Sequence, residues 1–377
     1  MNNPKYLRML SQIPQLSQEE RDRLQPVNEK FAFRSNEYYQ TLINWDDPDD
    51  PIRRLIVPNL EELEEWGKLD ASNEKSYRKV LGLELKYEYT ALLLVNDICG
   101  GYCRFCFRKR IFMNGNDEVV RDISEGLDYI RQNKEITNLL LTGGDPFVLS
   151  TNRLEPIIRQ LREIKHVQII RIGTKIPAFN PSRILNDPSL LEMIGRYSTR
   201  DKRIYIMAHF NHPRELTDQA VEAMYLLHRA GTVTCNQTPL IKGINDDPDV
   251  LAELFRKLSF IGVPPYYVFQ CRPTLGNKIY SVPLERGYEI FEQARMRSSG
   301  LGKRARFVMS HRSGKIHVVG KTESNIYMRY HRAANPGDKA KFIIARSHPD
   351  AYWFDDYEEL MEEEFKFENP FLDYEID

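Results

Sequence analysis

Three of the five cysteines in this 377-residue chain lie within the single stretch 99–110. Cys99, Cys103 and Cys106 are separated by three and then two residues. Thiolates at such short spacings can bind three irons of a four-iron cluster from one side, as iron–sulfur loops do. The fourth iron would have no protein ligand and would be open to a small molecule. The spacing therefore predicts a reactive cluster site rather than a simple electron-transfer centre.

Zinc binding, or burial of three unliganded thiols, is the alternative interpretation of these cysteines. Zinc takes four ligands in most structural sites, commonly from two separated pairs of cysteine or histidine residues. The two remaining cysteines, Cys235 and Cys271, lie in apolar runs that suit small buried hydrophobic residues. The cluster is therefore the favoured interpretation.

Two further segments have residue types suited to binding a charged small molecule. In Gly143-Gly144-Asp145, the glycines would let the backbone approach a ligand closely, and the carboxylate could hold an ammonium group. Arg108, just after the cysteines, carries a planar fork suited to a carboxylate. The alternative for Gly143-Gly144-Asp145 is an ordinary tight turn, and the alternative for Arg108 is that it belongs to a solvated basic run.

Lysine and histidine residues give weaker signals. Lys315 follows a Ser-Gly step, but most lysines lie on protein surfaces, so composition alone does not select it. His209 and His212 fit core or cap positions as well as they fit a metal site.

The elements that would position these residues begin near residue 90, where short apolar runs alternate with amphipathic helical patterns. Six runs have strand character: 90–95, 138–142, 167–172, 203–207, 232–236 and 266–270. Such alternation predicts parallel strands joined by helical crossovers. Six units are too few for a closed eight-stranded barrel. We therefore predict an α/β fold, a partial (β/α)6 TIM-type barrel with an N-terminal helical layer and a C-terminal extension.

The predicted boundaries divide the chain into three parts. Residues 1–85 form the mostly helical layer, and residues 86–284 form the barrel. Residues 285–377 contain a helix, a hairpin that carries Lys315 on its second strand, and an acidic tail.

The residues with chemical potential follow the predicted strands. The positions after the successive runs include Cys99, Gly143–Asp145, Gly173-Thr174, His209, Gln237 and Cys271-Arg272. In parallel folds the carboxyl ends of the strands meet on one side, and ligands bind there. We therefore expect these residues to share one site.

Charge and hydropathy exclude several classes of protein. The chain has 53 basic and 54 acidic residues and a net charge of −1, which disfavours a general nucleic-acid or lipid-surface protein. The N-terminal residues lack the apolar core of a signal peptide, and the apolar runs are too short to cross a bilayer. We therefore expect a cytoplasmic protein, without nucleic-acid or membrane partners, whose clustered cysteines bind metal rather than form disulfides.

The cysteine motif, with the aromatic Phe105 before its last cysteine, resembles the signature of radical S-adenosylmethionine enzymes. A wider set of segments, in order and over residues 45–325, is similar to the lysine 2,3-aminomutase family. These segments are Tyr102-Cys-Arg-Phe-Cys, Leu141-Thr-Gly-Gly-Asp-Pro, Arg171-Ile-Gly-Thr, His209-Phe-Asn-His-Pro, Asn236-Gln237, Gly243-Ile-Asn-Asp and Pro265-Tyr-Tyr-Val-Phe-Gln-Cys.

The resemblance implies three cofactors and assigns residues to them. A 4Fe–4S cluster would be held by Cys99, Cys103 and Cys106, with S-adenosylmethionine on its open iron. S-adenosylmethionine would contact Phe105 near the adenine, Gly143, Gly144 and Asp145 at the methionine end, and Thr174, His209 and Gln237 elsewhere. Pyridoxal 5′-phosphate would be bound by Lys315.

The resemblance also implies the reaction and its partners. A radical generated from S-adenosylmethionine would remove hydrogen from an amino acid, and the amino group would migrate to the neighbouring carbon to give a β-amino acid. Arg108 matches the arginine that holds the substrate carboxylate. A small electron-transfer protein such as flavodoxin or ferredoxin would supply the electron, and a homo-oligomer is a candidate assembly.

The sequence departs from the family at positions that recognise a lysine side chain. An aspartate expected after Gln-Cys at the sixth strand is Arg272, and the stretch 307–313 before Lys315 contains Ser310 but no acid. An arginine expected at the start of the first strand is Thr90, and the family's C-terminal zinc segment is absent. Arg272 would repel a cationic side chain by several kcal/mol in a poorly solvated site. We therefore expect an acidic or neutral substrate, glutamate being one candidate, with Arg272 and Ser310 near its side chain.

Three alternative functions compete with this hypothesis. A radical S-adenosylmethionine enzyme of another reaction type would keep the cysteines without needing Lys315. A lysine 2,3-aminomutase could operate despite the missing aspartates. An iron–sulfur protein without enzymatic activity would not cleave S-adenosylmethionine.

Overall fold

A 13-stranded sheet forms the framework of the protein in the computed structural model, which describes residues 3–113, 115–357 and 360–361. The strands are β1 (Tyr6–Leu7), β2 (Ser35–Asn36), β3 (Arg78–Val80), β4 (Leu83–Tyr87), β5 (Thr90–Asn96), β6 (Asn138–Gly143), β7 (Ile169–Thr174), β8 (Ile204–Ala208), β9 (Val233–Leu240), β10 (Pro265–Gln270), β11 (Arg306–His311), β12 (Gly314–Lys321), β13 (Asn325–Ala333), β14 (Phe342–Arg346) and β15 (Leu360–Met361). Strands β3 to β15 lie in the large sheet in sequence order, and β1 pairs with β2 separately.

Helices connect and cover these strands. The α-helices are α1 (Gln18–Lys30), α2 (Glu37–Gln40), α3 (Pro51–Ile56), α4 (Ser124–Gln132), α5 (Thr151–Glu163), α6 (Ile176–Phe179), α7 (Ser182–Leu185), α8 (Pro188–Tyr197), α9 (Asp218–Arg229), α10 (Pro248–Phe260) and α11 (Leu284–Met296). Short 3-10 turns at Leu60–Leu63, Glu74–Tyr77, Lys109–Phe112 and Lys278–Tyr280 shape the loops around the site.

The parallel core confirms the predicted α/β class. All six predicted strands form, as β5 to β10, within a few residues of their expected bounds and pair in parallel. The apolar stripe of α5 is buried, with Leu154, Ile158 and Leu161 inaccessible to solvent. As its apolar spacing predicts, α5 packs this stripe against the sheet.

The parallel sheet extends past the predicted barrel limit at residue 284. Strand β11 pairs in parallel with β10, so α11 is a sixth helical crossover between parallel strands. Strand β12 then returns antiparallel to β11 through the turn at Ser313-Gly314, as the predicted hairpin requires. The domain bounds remain a prediction. The hydrogen-bonded sheet is continuous from β10 to β11, across the boundary predicted at residue 284.

The first 85 residues contain more than helices. Ser17 caps α1 by accepting from the amide of Glu20, as its sequence position predicts. Strands β3 and β4, however, form a hairpin edge on the large sheet next to β5. The predicted acidic tail begins with a 3-10 turn at Phe354–Asp356, and most of it lies outside the described residues.

The two antiparallel ends of the sheet meet across the open side of the half-barrel through side chains. We call this contact the seam, between residues 72–90 and 310–332. Its hydrogen bonds run from Ser72 Oγ to Ser310 O (3.0 Å), Tyr77 Oη to Arg312 O (2.5 Å), Lys86 Nζ to His311 O and Arg332 Nη2 to Thr90 Oγ1 (2.8 Å). The backbone ladder ends at β3 and β15 and does not close on itself. The side-chain contacts of the seam close the barrel instead.

No helix among the described residues combines the length and the apolar composition needed to cross a bilayer.

Helix α10 offers a direct test of the packing. Phe255 is fully buried against Phe291, whereas Phe260 on the same helix is 79% exposed. We expect Phe255→Ala to lower the free energy of unfolding by about 3–5 kcal/mol, since it leaves a cavity. The matched Phe260→Ala should change it by less than about 0.5 kcal/mol. Urea unfolding followed by circular dichroism measures both, and equal losses would contradict the described packing.

Candidate functional site

All fourteen candidate site residues line one cavity of about 340 Å³ at the carboxyl ends of the parallel strands. They are Cys99, Cys103, Phe105, Cys106, Arg108, Gly143, Gly144, Asp145, Thr174, His209, Gln237, Arg272, Ser310 and Lys315. His212 does not line it; its side chain caps the 3-10 turn at Pro213–Glu215. Strand topology therefore brings together residues that are more than 200 positions apart.

The N-terminal layer holds the cysteine loop by its backbone. Arg34 Nε donates to the carbonyl of Cys99 at 2.8 Å, and the amide of Tyr102 donates to the carbonyl of Arg34 at 2.9 Å. The side chain of Asn36 donates to the carbonyl of Gly100 at 3.2 Å. These bonds fix the loop from outside and leave its thiols directed at the cavity.

The chemistry of the three thiols fits a metal cluster. All three are unpaired and half-buried, and burial raises the pKa of each, to about 12 for Cys103. Thiols in such surroundings become thiolates when a metal supplies positive charge. No group of three or more His, Cys, Asp or Glu residues in the described parts of the chain is spaced for a single metal ion.

The remaining cysteines differ from each other. Cys271 is 3% exposed at the end of β10 and also borders the cavity, where burial raises its pKa to about 11. Cys235 lies in β9 with its thiol 3.4 Å from the sulfur of Met207. The interpretation of both as small apolar residues agrees with these surroundings.

A buried ion pair anchors the middle of the cysteine loop. Arg104 donates to both carboxylate oxygens of Glu62, at 2.7–3.2 Å, and its side chain is 2% exposed. Glu62 also accepts from Tyr280 Oη at 3.0 Å. The pair therefore ties the loop to the N-terminal layer and to the segment after β10.

The two glycines after β6 are required by the backbone beside them. A Cβ on Gly143 would lie 2.4 Å from the carbonyl oxygen of Asn96, and one on Gly144 would lie 2.4 Å from that of Ile98. Gly143 also has a φ of +112°. Both glycines therefore approach protein backbone closely, at the last residue of β5 and at Ile98 just after it, and both also border the cavity.

Asp145 joins the ends of two strands. Its Oδ2 accepts from Thr174 Oγ1 and from the amides of Lys175 and Ile176, whereas Oδ1 accepts only from the amide of Phe147. Burial raises the pKa of this carboxyl to about 6, against the opposing effect of these hydrogen bonds. Most of the hydrogen bonds of Asp145 therefore join the end of β6 to the end of β7. Oδ1, with one such bond, can still accept from a ligand.

The other predicted S-adenosylmethionine contacts form one wall. Phe105 and His209 pack edge to face, with ring centroids 6.1 Å apart. His209 is bonded to Asn211 at 3.1 Å, and burial, followed by the charge of Lys175, lowers its pKa well below the ordinary value. Gln237 is half-buried on β9 beside them. A neutral, aromatic wall of this kind suits a nucleoside base.

Arg108 lines the cavity but already has a carboxylate partner. Its Nε and Nη2 donate to Glu74 at 3.0 and 2.9 Å, and its Nη1 donates to Thr142 Oγ1 at 3.1 Å. Glu74 therefore occupies the edge of the guanidinium that was predicted to bind the substrate carboxylate. Nη1, which bonds to Thr142, is the nitrogen that does not contact Glu74.

Arg272 has an incompletely bonded guanidinium. It stacks on Phe107 at 3.6 Å from the ring centroid, and its Nη1 lies 3.8 Å from Glu74 without making a hydrogen bond. Burial lowers its pKa to about 10, and the charge of Glu74 acts in the opposite direction. Ser310 lies on the same side of the cavity, with its carbonyl bonded to Ser72.

Lys315 points into an aromatic part of the cavity. Its Nζ lies 4.1 Å from the ring centroid of Tyr267 and 4.8 Å from that of Phe269. Burial lowers its pKa well below the usual value, and the charges of Arg332 and Arg171 lower it further. A neutral amine in such a pocket is a nucleophile able to form an imine with an aldehyde. The residues present therefore fit pyridoxal phosphate.

Sequence reasoning missed six charged residues that line the cavity: Glu74, Glu84, Lys86, Arg171, Lys175 and Arg332. Burial, and the charge of Glu74, raise the pKa of Glu84 to about 8. Burial, and the charge of Arg272, lower the pKa of Lys86 to about 7. Only Arg171 stood in a recognised segment; the others have no spacing that marks them.

Residues 93–255 match the family model of the Radical SAM superfamily. A protein of Aquifex aeolicus named "Putative L-lysine 2,3-aminomutase" is 59% identical over 360 residues, which cover 95% of this chain and 96% of that protein. The L-lysine 2,3-aminomutase of Clostridium subterminale is 37% identical, covering 76% of this chain and 68% of its own. The glutamate 2,3-aminomutase of Clostridioides difficile is 36% identical, covering 78% and 68%. The 59% identical relative is named only as putative, and the two enzymes named for lysine and for glutamate without that qualifier are about equally similar to this chain, so the similarity does not select the substrate.

The Arg104–Glu62 pair can be tested with a neighbouring glutamate as control. We expect Glu62→Gln to lower the free energy of unfolding by about 3–5 kcal/mol, because it leaves the Arg104 charge buried without its partner. Glu61→Gln, at an exposed neighbouring position, should have little effect. Urea unfolding gives both values. A Glu62→Gln protein as stable as the wild type would show that the pair does not anchor the loop.

Proposed function

Since this chain belongs to the lysine 2,3-aminomutase family of radical S-adenosylmethionine enzymes, which are isomerases, we propose that it converts an acidic or neutral α-amino acid into the β-amino acid. Glutamate is the first candidate substrate. The observation that carries the proposal is the single cavity shared by Lys315, the three cysteines and Arg272.

When bound, the cofactors would supply the radical chemistry: reductive cleavage of S-adenosylmethionine at a 4Fe–4S cluster and an aldehyde, from pyridoxal phosphate, for the amino group. The protein binds and orients them. Cys99, Cys103 and Cys106 would bind the cluster, and Lys315 would bind pyridoxal phosphate. Asp145 Oδ1 would accept from the methionine ammonium group. Flavodoxin or ferredoxin remains the predicted external reductant.

The chain's own residues would also position the substrate. Arg108 Nη1 would donate to the substrate carboxylate, with Glu74 holding the guanidinium in place. Apolar and aromatic side chains cover much of the cavity, which excludes water from a reactive radical. Holding the reacting atoms close together in this way replaces a collision by an intramolecular step.

The charges around Arg272 favour an anionic side chain. Its Nη1 is buried and has no hydrogen-bond partner, so an acceptor on the substrate would satisfy it. Glu74 is shared with Arg108 and Arg110. Although burial acts to raise the pKa of Glu74, the charges of Arg108, Arg272 and Arg110 together lower it. The remaining carboxyl, Glu84, has a pKa of about 8 and is therefore mostly protonated at neutral pH.

Lysine is the second candidate substrate. Relatives named L-lysine 2,3-aminomutase support it, and Glu84 would become a counter-ion if a substrate ammonium group lowered its pKa. The balance of charge still favours the acidic substrate, because Arg272, with a pKa of about 10, stays charged at neutral pH.

Covalent trapping tests Lys315 without measuring turnover. We expect pyridoxal phosphate to give an absorbance band near about 420 nm at pH 7, and borohydride reduction to fix a phosphopyridoxyl group on Lys315. The lowered pKa of this amine favours its neutral, nucleophilic form. Lys315→Ala should lose both signals. Lys321→Ala, which removes an outer lysine paired with Glu289, is the control. A band that persists in Lys315→Ala would exclude the assignment.

A substrate panel tests the charge argument. The anaerobically reconstituted enzyme should form β-glutamate from glutamate and little β-lysine from lysine, as measured by mass spectrometry. Losing one member of a buried charge pair costs about 2–5 kcal/mol. Arg272→Ala should therefore raise the KM for glutamate at least about tenfold, with a smaller change in kcat. Arg312→Ala, an exposed arginine nearby, should not. Turnover of lysine with none of glutamate would show that the charge argument is wrong.

A further inference from the structure

Two arginines near Lys315 have no acidic partner. Arg332 on β13 is the cross-strand neighbour of Lys315 on β12, and Arg171 on β7 borders the same cavity. Among the described residues, neither guanidinium lies within 4.0 Å of a carboxylate. Two guanidinium groups therefore lie beside Lys315 without an ion-pair partner among the described residues.

The hydrogen bonds of both arginines leave donors directed at the cavity. Arg332 Nη2 donates to Thr90 Oγ1 at 2.8 Å, and its guanidinium lies 4.1 Å from the ring centroid of Tyr87. Arg171 Nε donates to Asn138 Oδ1 at 2.8 Å. Burial lowers the pKa of Arg171, and the charge of Arg332 lowers it further. These contacts position the guanidinium groups of Arg332 and Arg171 although their charges repel each other.

Fixed, mutually repelling guanidinium groups in a largely buried cavity are typical of a site for a multiply charged anion. Arginine forks bind phosphate oxygens in pairs, and each bond is strengthened by charge. We propose that Arg332 and Arg171 bind the phosphate of a pyridoxal phosphate attached to Lys315. This inference rests on the proposed function, because Lys315 must bind the aldehyde for the phosphate to lie nearby.

The position of Arg332 explains one departure of the sequence from its family. Thr90 stands where the resemblance expects an arginine, at the start of β5. Arg332 reaches Thr90 from the far side of the seam, so it supplies a cation at this point from β13 instead. The positive charge is therefore retained, although the element that carries it has changed.

Binding measurements on the purified protein test this inference without any turnover. Pyridoxal phosphate and pyridoxal, which lacks the phosphate, are titrated separately into wild-type protein and into Arg332→Gln, following the lysine-bound absorbance band. We expect Arg332→Gln to weaken the binding of pyridoxal phosphate at least about tenfold and to leave that of pyridoxal within about twofold. Arg329→Gln, on the exposed face of the same strand, should alter neither.

A second variant keeps the test sound if Arg332→Gln folds poorly. Arg332→Lys retains the charge but loses the fork, and it should weaken the binding of pyridoxal phosphate less than Arg332→Gln but more than Arg329→Gln. Equal affinities for pyridoxal phosphate in the wild type and the Arg332 variants would overturn the inference. Equal losses for both ligands would also overturn it, because they would show a structural role. Absence of the band in the wild type would instead overturn the proposed function.

Discussion

The buried carboxylate of Glu74 connects the three parts of the chain that form the cavity. It lies in a 3-10 turn of the N-terminal region, accepts from Arg108 and Arg110 after the cysteines, and lies 3.8 Å from Arg272 after β10. Guanidinium groups packed this closely would repel one another without it. One anion therefore holds the cysteine loop, the last strand of the predicted barrel and the N-terminal layer in register.

Much of the framework could be predicted because its signals are local. Each apolar run or helical stripe lies within one element, the longest of which has 13 residues, and their alternation is enough to give β5 to β10. Since the carboxyl ends of parallel strands converge, the same pattern placed Cys99, Asp145 and Gln237 on one cavity. Lys315 was different: its position came only from the family resemblance, because nothing in its neighbourhood marks a lysine as buried.

What the sequence could not supply depends on contacts between distant residues. Glu74 and Arg332 lie outside any motif, and their roles arise only when separate elements meet. The close approach of Gly144 to the backbone of Ile98, just after β5, is another such contact. Strand β11 falls in the segment predicted as a C-terminal extension, and its parallel pairing with β10 joins residues too far apart for a local pattern to indicate.

The seam has a consequence for the order in which the protein assembles. Its contacts join residues separated by 225 to 242 positions, and it contains no backbone ladder. Closing so large a loop costs chain entropy that only a finished sheet can offset, so the seam should form last. Such an order would give the folding chain a stage with an intact sheet and an open flank. Incorporation of a prosthetic group during biosynthesis has its widest access in that state.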